Sequence, residues 1–232
     1  MAKTATRPAE KGPAEAGGTA RERLLAAASE LFYAEGIHTV GIDRIIEKAG
    51  VAKASLYNTY GSKDELVRAY LDQRHDRLRA RVAAVLEGVT DPREKILAVF
   101  TAQQQIFAQP DFRGCAFANA TAESQPGSVA YDVADQYRGW LLDLFREFAT
   151  EAKAPDADLL ARQLQQLYDG AQLSARMDNG TGASAACRTT VQAVLDAALP
   201  QYLVRTGRSS GPISSASVVP GSIPSRMTCS RS

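Results

Sequence analysis

Residues 53–63 read Lys-Ala-Ser-Leu-Tyr-Asn-Thr-Tyr-Gly-Ser-Lys, a run too short and too polar to be a core. Its side chains are hydrogen-bond donors mixed with small residues. Lys53 can donate to a guanine edge, and Ala54 or Thr59 can touch a thymine methyl. Ser55 and Tyr57 can donate hydroxyls to phosphate oxygens. Lys63 opens the next helical pattern, where a cation opposes the helix dipole. A phosphate bound there would resolve the conflict, because free backbone N–H groups and Lys63 would both point at it. Thr39, Arg44 and Asn58 complete the expected phosphate contacts.

Two short helices must position these groups, one over about 42–49 and one over about 53–59. Ala49-Gly50-Val51 joins them, and Gly50 can take the positive φ of a sharp turn. Val51 packs back between the helices, and Leu56 fills the inner face of the second. The pattern is that of a helix-turn-helix, whose second helix enters the major groove and reads base edges with its N-terminal side chains. An ordinary helical hairpin with a solvated face has the same spacing. Residues 19–70 hold seven Lys or Arg and seven Asp or Glu, so the region is not basic on balance.

The same restraint holds for the whole chain. Its 232 residues carry a net charge of +1, so nucleic-acid binding would need a local patch rather than a global field. Three scattered cysteines, Cys115, Cys187 and Cys229, argue against a disulfide framework and against zinc. No apolar run approaches a membrane span, and the N-terminus lacks the apolar segment of a secretory signal. A cytoplasmic protein without membrane association is therefore expected.

Between polar ends nearly everything has helical periodicity. Thr19 and Glu22 form a capping box before Leu24, Ala27, Ala28, Leu31 and Phe32. Ser62 and Glu65 repeat it before a long helix to about Gly88, and Asp91-Pro92-Arg93-Glu94 opens another to about Gln109. Further helices are expected at about 115–123, 128–152, 156–178 and 185–204. The fold class is all-α with roughly nine helices. Residues 1–18 and 207–232 have the composition of disordered segments. A helix-turn-helix domain over 19–66 and a larger helical domain over 67–206 lie between them.

The segment Val-Gly-Ile-Asp-Arg-Ile-Ile-Glu-Lys-Ala-Gly-Val-Ala-Lys-Ala-Ser-Leu-Tyr-Asn-Thr-Tyr-Gly-Ser-Lys-Asp-Glu-Leu-Val, residues 40–67, resembles the DNA-binding segment of TetR-family transcriptional regulators. The resemblance covers about residues 20–70. The chain departs from the family pattern at Ala52 (usually a capping Ser), Ile46 (usually Ala), Tyr60 (usually Phe) and Asn58-Thr59 (usually an aromatic or His pair). Residues 112–123, Phe-Arg-Gly-Cys-Ala-Phe-Ala-Asn-Ala-Thr-Ala-Glu, also resemble a segment of one subgroup of the family.

The resemblance implies a homodimeric repressor of a palindromic double-stranded DNA operator, released by a small-molecule effector. A pocket in the second domain would draw on Phe100, Gln104, Phe107, Phe117, Asn119, Tyr137, Trp140 and Tyr168. Plain core packing would use the same aromatics, and a buried Asn119 amide would need partners whether or not they belong to a ligand. The last two helices would pair with their mates through Leu160, Leu164, Leu167, Val191, Leu195 and Leu199; burial within one chain is the alternative. Cys115 stands near a helix start, as a redox-sensing or an inert buried thiol. No metal site or cofactor is expected. With two distant histidines and no phosphate loop, nucleophile elbow or zinc motif, an enzyme is not expected either. The competing function is an all-helical protein–protein interaction adaptor without base readout.

Overall fold

The computed structural model describes residues 18–178 and 182–199. The two polar ends expected to be disordered, apart from Gly18, and residues 200–206 of the expected second domain lie outside that range. The described residues contain nine helices and no strand: α1 Ala20–Glu35, α2 Ile42–Ala49, α3 Lys53–Tyr60, α4 Lys63–Leu86, α5 Pro92–Phe107, α6 Ala116–Ala122, α7 Val129–Glu151, α8 Ala157–Met177 and α9 Ala183–Ala198.

Local chemistry explains most of the boundaries. At α1 the Glu22 N–H donates to Thr19 Oγ1 (3.2 Å) and the Thr19 N–H to Glu22 Oε2 (2.8 Å), a complete capping box. Asp91 accepts from the Arg93 and Glu94 N–H groups, with Pro92 at the first helical position. At α4 only half of the expected box forms. Ser62 accepts from the Glu65 N–H, whereas the Glu65 carboxylate faces Arg68 at 3.6 Å.

Helices α1–α3 close on Leu24, Ala28, Val40, Ile45 and Leu56, all fully buried. Helix α4 carries them, packing on α1 and α3 at one end and on α5 and α7 further along. The larger body has α7 against α8, α8 against α9 and α5 between α7 and α9. Its centre is an aromatic cluster. Phe100 stacks on Phe145 with centroids 5.6 Å apart, and Tyr168 meets both edge-on.

Two expectations change here. Leu160, Leu164, Val191, Leu195 and Leu199 are buried within the chain, at 1% exposure or less, and Leu167 is half-buried. The five buried residues are consumed by the chain's own helix packing and offer no surface to a second copy, while Leu167 keeps part of its surface. Likewise Phe100 is a core residue, Phe107 packs on Phe112 (5.1 Å), Trp140 lies against His75 (5.2 Å), and Gln104 donates to the Ser184 carbonyl (3.2 Å). They hold helices together and line neither of the two cavities described below.

Candidate nucleic-acid interface and effector cavity

The turn between α2 and α3 is built by Gly50 at φ 61°, ψ 42°. Its N–H donates to the Glu47 carbonyl and that of Val51 to the Ile46 carbonyl, both at 3.1 Å. This left-handed exit, which glycine adopts without strain, ends α2 within one residue and starts α3 two residues later. Ala52 stands at the N-cap and supplies no side-chain bond. The cap that Ser provides elsewhere, worth about 1 kcal/mol, is absent. The extra hydroxyl of Tyr60 is satisfied: it donates to the Arg21 carbonyl at 3.0 Å.

Helix α3 thus buries Leu56 and Tyr60 and turns the rest outward. Lys53, Ala54, Tyr57 and Asn58 are exposed, with Tyr57 at 45%; Ser55 and Thr59 are half-buried. Thr39 and Arg44 are exposed on the α1–α2 side of the same region. The cations are not idle. Lys53 Nζ contacts Asp43 at 2.9 Å, and Arg44 holds Glu35 with two bonds of 2.6 and 2.9 Å. The side-chain hydrogen bond to Asp43 raises the Lys53 pKa, and the one to Glu35 does the same for Arg44. Exposed pairs of this kind are weak in water, so a phosphate can replace either carboxylate. Lys63, by contrast, has no ion pair among the described residues. It is half-buried at the start of α4, 6.0 Å from the Phe32 ring centroid, and burial lowers its pKa.

Above this head lie two neighbouring cavities. The first, about 320 Å³, is bounded by Phe117, Asn119, Tyr131, Tyr137, Arg138 and Arg176 among others. The second, about 240 Å³, is bounded by α4, the end of α5, and Tyr137 and Tyr168. Gly114, Cys115, Phe117, Tyr137 and Gln172 are common to both walls. Of the expected pocket residues, the structure brings Phe117, Asn119, Tyr137 and Tyr168 to these cavities. Phe117 and Tyr137 stack at 4.1 Å. Asn119 is half-buried rather than buried, and both ends of its amide are used: it donates to the Arg113 carbonyl (3.1 Å) and accepts from Arg176. Burial pushes the Cys115 thiol pKa up, which opposes a reactive thiolate.

Sequence reasoning missed the residues that join cavity to head. Tyr33 of α1 places its hydroxyl between the Arg113 N–H, which donates to it (2.9 Å), and the Gly114 carbonyl, which accepts from it (3.0 Å). Glu123, just beyond α6, accepts from the His38 N–H at 2.9 Å. Its carboxylate occupies the space that a Cβ on Gly36 would take, with Oε1 only 2.6 Å from that position. Both contacts span about 80 residues of sequence, so no local pattern could have revealed them.

Among the described residues no cluster of His, Cys, Asp and Glu could hold a metal ion, and no helix is long and apolar enough to cross a membrane.

A family model for bacterial regulatory proteins of the tetR family matches residues 24–70, which is the head. The chain is 41% identical over 112 residues to the HTH-type transcriptional activator FasR of Mycolicibacterium smegmatis, a match covering 44% of this chain and 50% of that protein. It is 35% identical over 82 residues to the regulator LmrA of Bacillus subtilis, covering 35% of this chain and 44% of LmrA. The chain therefore spans about half the length of these curated relatives. The solved structure of a TetR-family transcriptional regulator from Streptomyces coelicolor superposes with a TM-score of 0.74 at 36% identity, covering 77% of this chain and 95% of that one. With head and helical body both matched, this chain belongs to the TetR family of DNA-binding transcriptional regulators.

Proposed function

We infer that the protein is a homodimeric repressor that grips a palindromic operator with two α3 helices and lets go when a small molecule fills the cavities. Residues 19–66 are its reading head, and the helices that follow form the effector and dimer body. One observation supports release above all. The segment from Arg113 to Glu123 both walls the cavities and holds the head, at Tyr33 and at His38. A ligand that bound the two head positions unequally would shift the head through those bonds. FasR is named an activator; in this reading the sign of control follows from where the operator lies relative to the promoter.

The dimer uses the outer face of α8 and α9 instead of the buried leucines. Leu159, Leu173 and Met177 are exposed at 52%, 60% and 73%. Gly170 on α8 is exposed too, as are Ala186, Ala193 and Ala197 on α9, the last three at helical spacing.

Selecting bound fragments from genomic DNA, followed by footprinting, tests the reading. The expected footprint is a palindrome with half-sites about one helical turn apart, 34–36 Å. An adaptor without base readout would give no enriched sequence. Within that operator, Lys53→Ala should relax preference at one base position, at about 1–3 kcal/mol for a bidentate contact. Lys63→Ala should instead weaken all sequences and reduce the salt slope by about one unit. An unchanged preferred operator in Lys53→Ala would remove Lys53 from base reading.

The junction has its own expected result. Tyr33→Phe deletes the hydroxyl that both Arg113 and Gly114 use. Compounds screened for operator release supply the effector. The variant should then bind operator nearly normally yet need at least about fivefold more effector for release, the lower end of usual coupling energies. An unchanged dose–response would place the coupling elsewhere.

A further inference from the structure

Arg74, Arg77 and Arg81 stand at i, i+3 and i+7 on α4 and so share one helix face. All three line the second cavity, and among the described residues none of them forms an ion pair with a carboxylate. Among the described residues that cavity's wall contains no Asp or Glu. Its other polar groups are Tyr33, Gln109, Tyr137, Tyr168, Gln172 and the Cys115 thiol. Glu30 and Asp111 share an adjoining surface hollow with Arg74 and Arg77, where Glu30 is held by Lys48 at 2.7 Å, and Asp169 belongs to the wall of the first cavity.

Arg74 is also held in place. The Arg74 guanidinium lies 3.9 Å from the Tyr33 ring centroid and 5.6 Å from that of Tyr70. Arg74 Nε and Gln172 Nε2 are buried without a hydrogen-bond partner. A guanidinium only donates, so among the described residues the wall keeps at least these two N–H donors without an acceptor. The first cavity differs: its Arg138 is paired with Asp169 at 2.6 Å, and its Arg176 donates to Asn119. The stacked Phe117 and Tyr137 stand between the two, offering a flat apolar surface.

We propose that the effector is an organic oxyanion, a carboxylate or phosphate on a flat apolar body, whose headgroup is held by Arg74, Arg77, Arg81 and Gln172. The body lies along Phe117 and Tyr137 toward the first cavity. Arginine forks match the two oxygens of such a headgroup, and charge-assisted bonds are stronger than neutral ones. This rests on the reading of the cavities as the effector site, and the test separates the two.

Two fluorescent probes share an aromatic body and differ in charge: 8-anilino-1-naphthalenesulfonate is an anion and N-phenyl-1-naphthylamine is neutral. Both are titrated against the full chain, Arg77→Gln/Arg81→Gln and Ile106→Trp, whose indole would fill the second cavity. Both probes should bind the unchanged chain, and Ile106→Trp should weaken both. The double arginine variant should lose about 10- to 100-fold for the anion and less than twofold for the neutral probe. Displacement by 1-naphthoate or by 1-naphthyl phosphate then tells which oxyanion is preferred. If Ile106→Trp weakens both probes but the arginine variant treats them alike, the cavity reading stands and the oxyanion is overturned. If neither probe responds to Ile106→Trp, the cavity reading falls and the oxyanion with it.

Discussion

A chain carrying Gly170→Glu and Met177→Glu is expected to sediment as a monomer and to lose about 10²- to 10⁴-fold in operator affinity. The size of the loss follows from tethering. When one head is bound, the second meets its half-site at the effective concentration set by the dimer, and that advantage disappears with the partner. The choice of residues separates assembly from folding. Gly170 lies within α8, and a Cβ there meets nothing within 4 Å. Glycine inside a helix is itself unfavourable by about 1 kcal/mol relative to alanine, so a side chain costs the single chain little. Met177 is 73% exposed. A facing helix, however, would meet two buried carboxylates, which are expensive unless paired. Sedimentation at micromolar concentration, with thermal melting as the folding control, is the measurement. A variant that melts normally and remains dimeric would place the interface elsewhere.

Leu56→Ala should destabilise the reading head by about 2–5 kcal/mol, the usual range for emptying a fully buried leucine site. Leu56 is fully buried, on a helix of eight residues that packs on α1, α2 and α4. So short a helix has little stability of its own, and its tertiary contacts hold it. The next residue is the control. Tyr57 is 45% exposed, so Tyr57→Ala should change stability by no more than about 0.5 kcal/mol while weakening operator binding. Urea denaturation of both variants, beside operator titrations, checks this. A loss below about 1 kcal/mol in Leu56→Ala would mean that α3 is not packed on this leucine. Equal destabilisation by both variants would mean that Tyr57 belongs to the core rather than to the interface.

The reading head was legible because its determinants are local. Gly50 marks the turn since few other residues take its backbone angles without strain, and Leu56 is the apolar residue that α3 must bury. Capping residues located α1, α4 and α5 within a residue or two for the same reason: a side chain and the N–H it caps are neighbours in the chain. The Glu65 half of one capping box failed because a second partner, Arg68, competes for the carboxylate.

Sequence by itself determined the helices, their order and most of the outward set, because periodicity and capping act over three or four residues: Lys53, Ala54, Tyr57 and Asn58 are exposed, whereas Ser55 and Thr59, expected with them, are half-buried. Which apolar face meets which neighbour was decided only in three dimensions. Leu160, Leu164 and Leu195 are expected from sequence at a dimer seam, with a core as the alternative, and they turned inward because α7, α8 and α9 of one chain already enclose them. The cavities were beyond the sequence for a related reason: a void is what remains after helices pack, and Phe117 and Phe100 differ only in whether that space lies beside them. The spacing of Arg74, Arg77 and Arg81 was visible, yet a solvated helix face looks the same. Only the fold shows that their wall carries no acid among the described residues, because α4, α5, α7 and α8 reach it from distant parts of the chain.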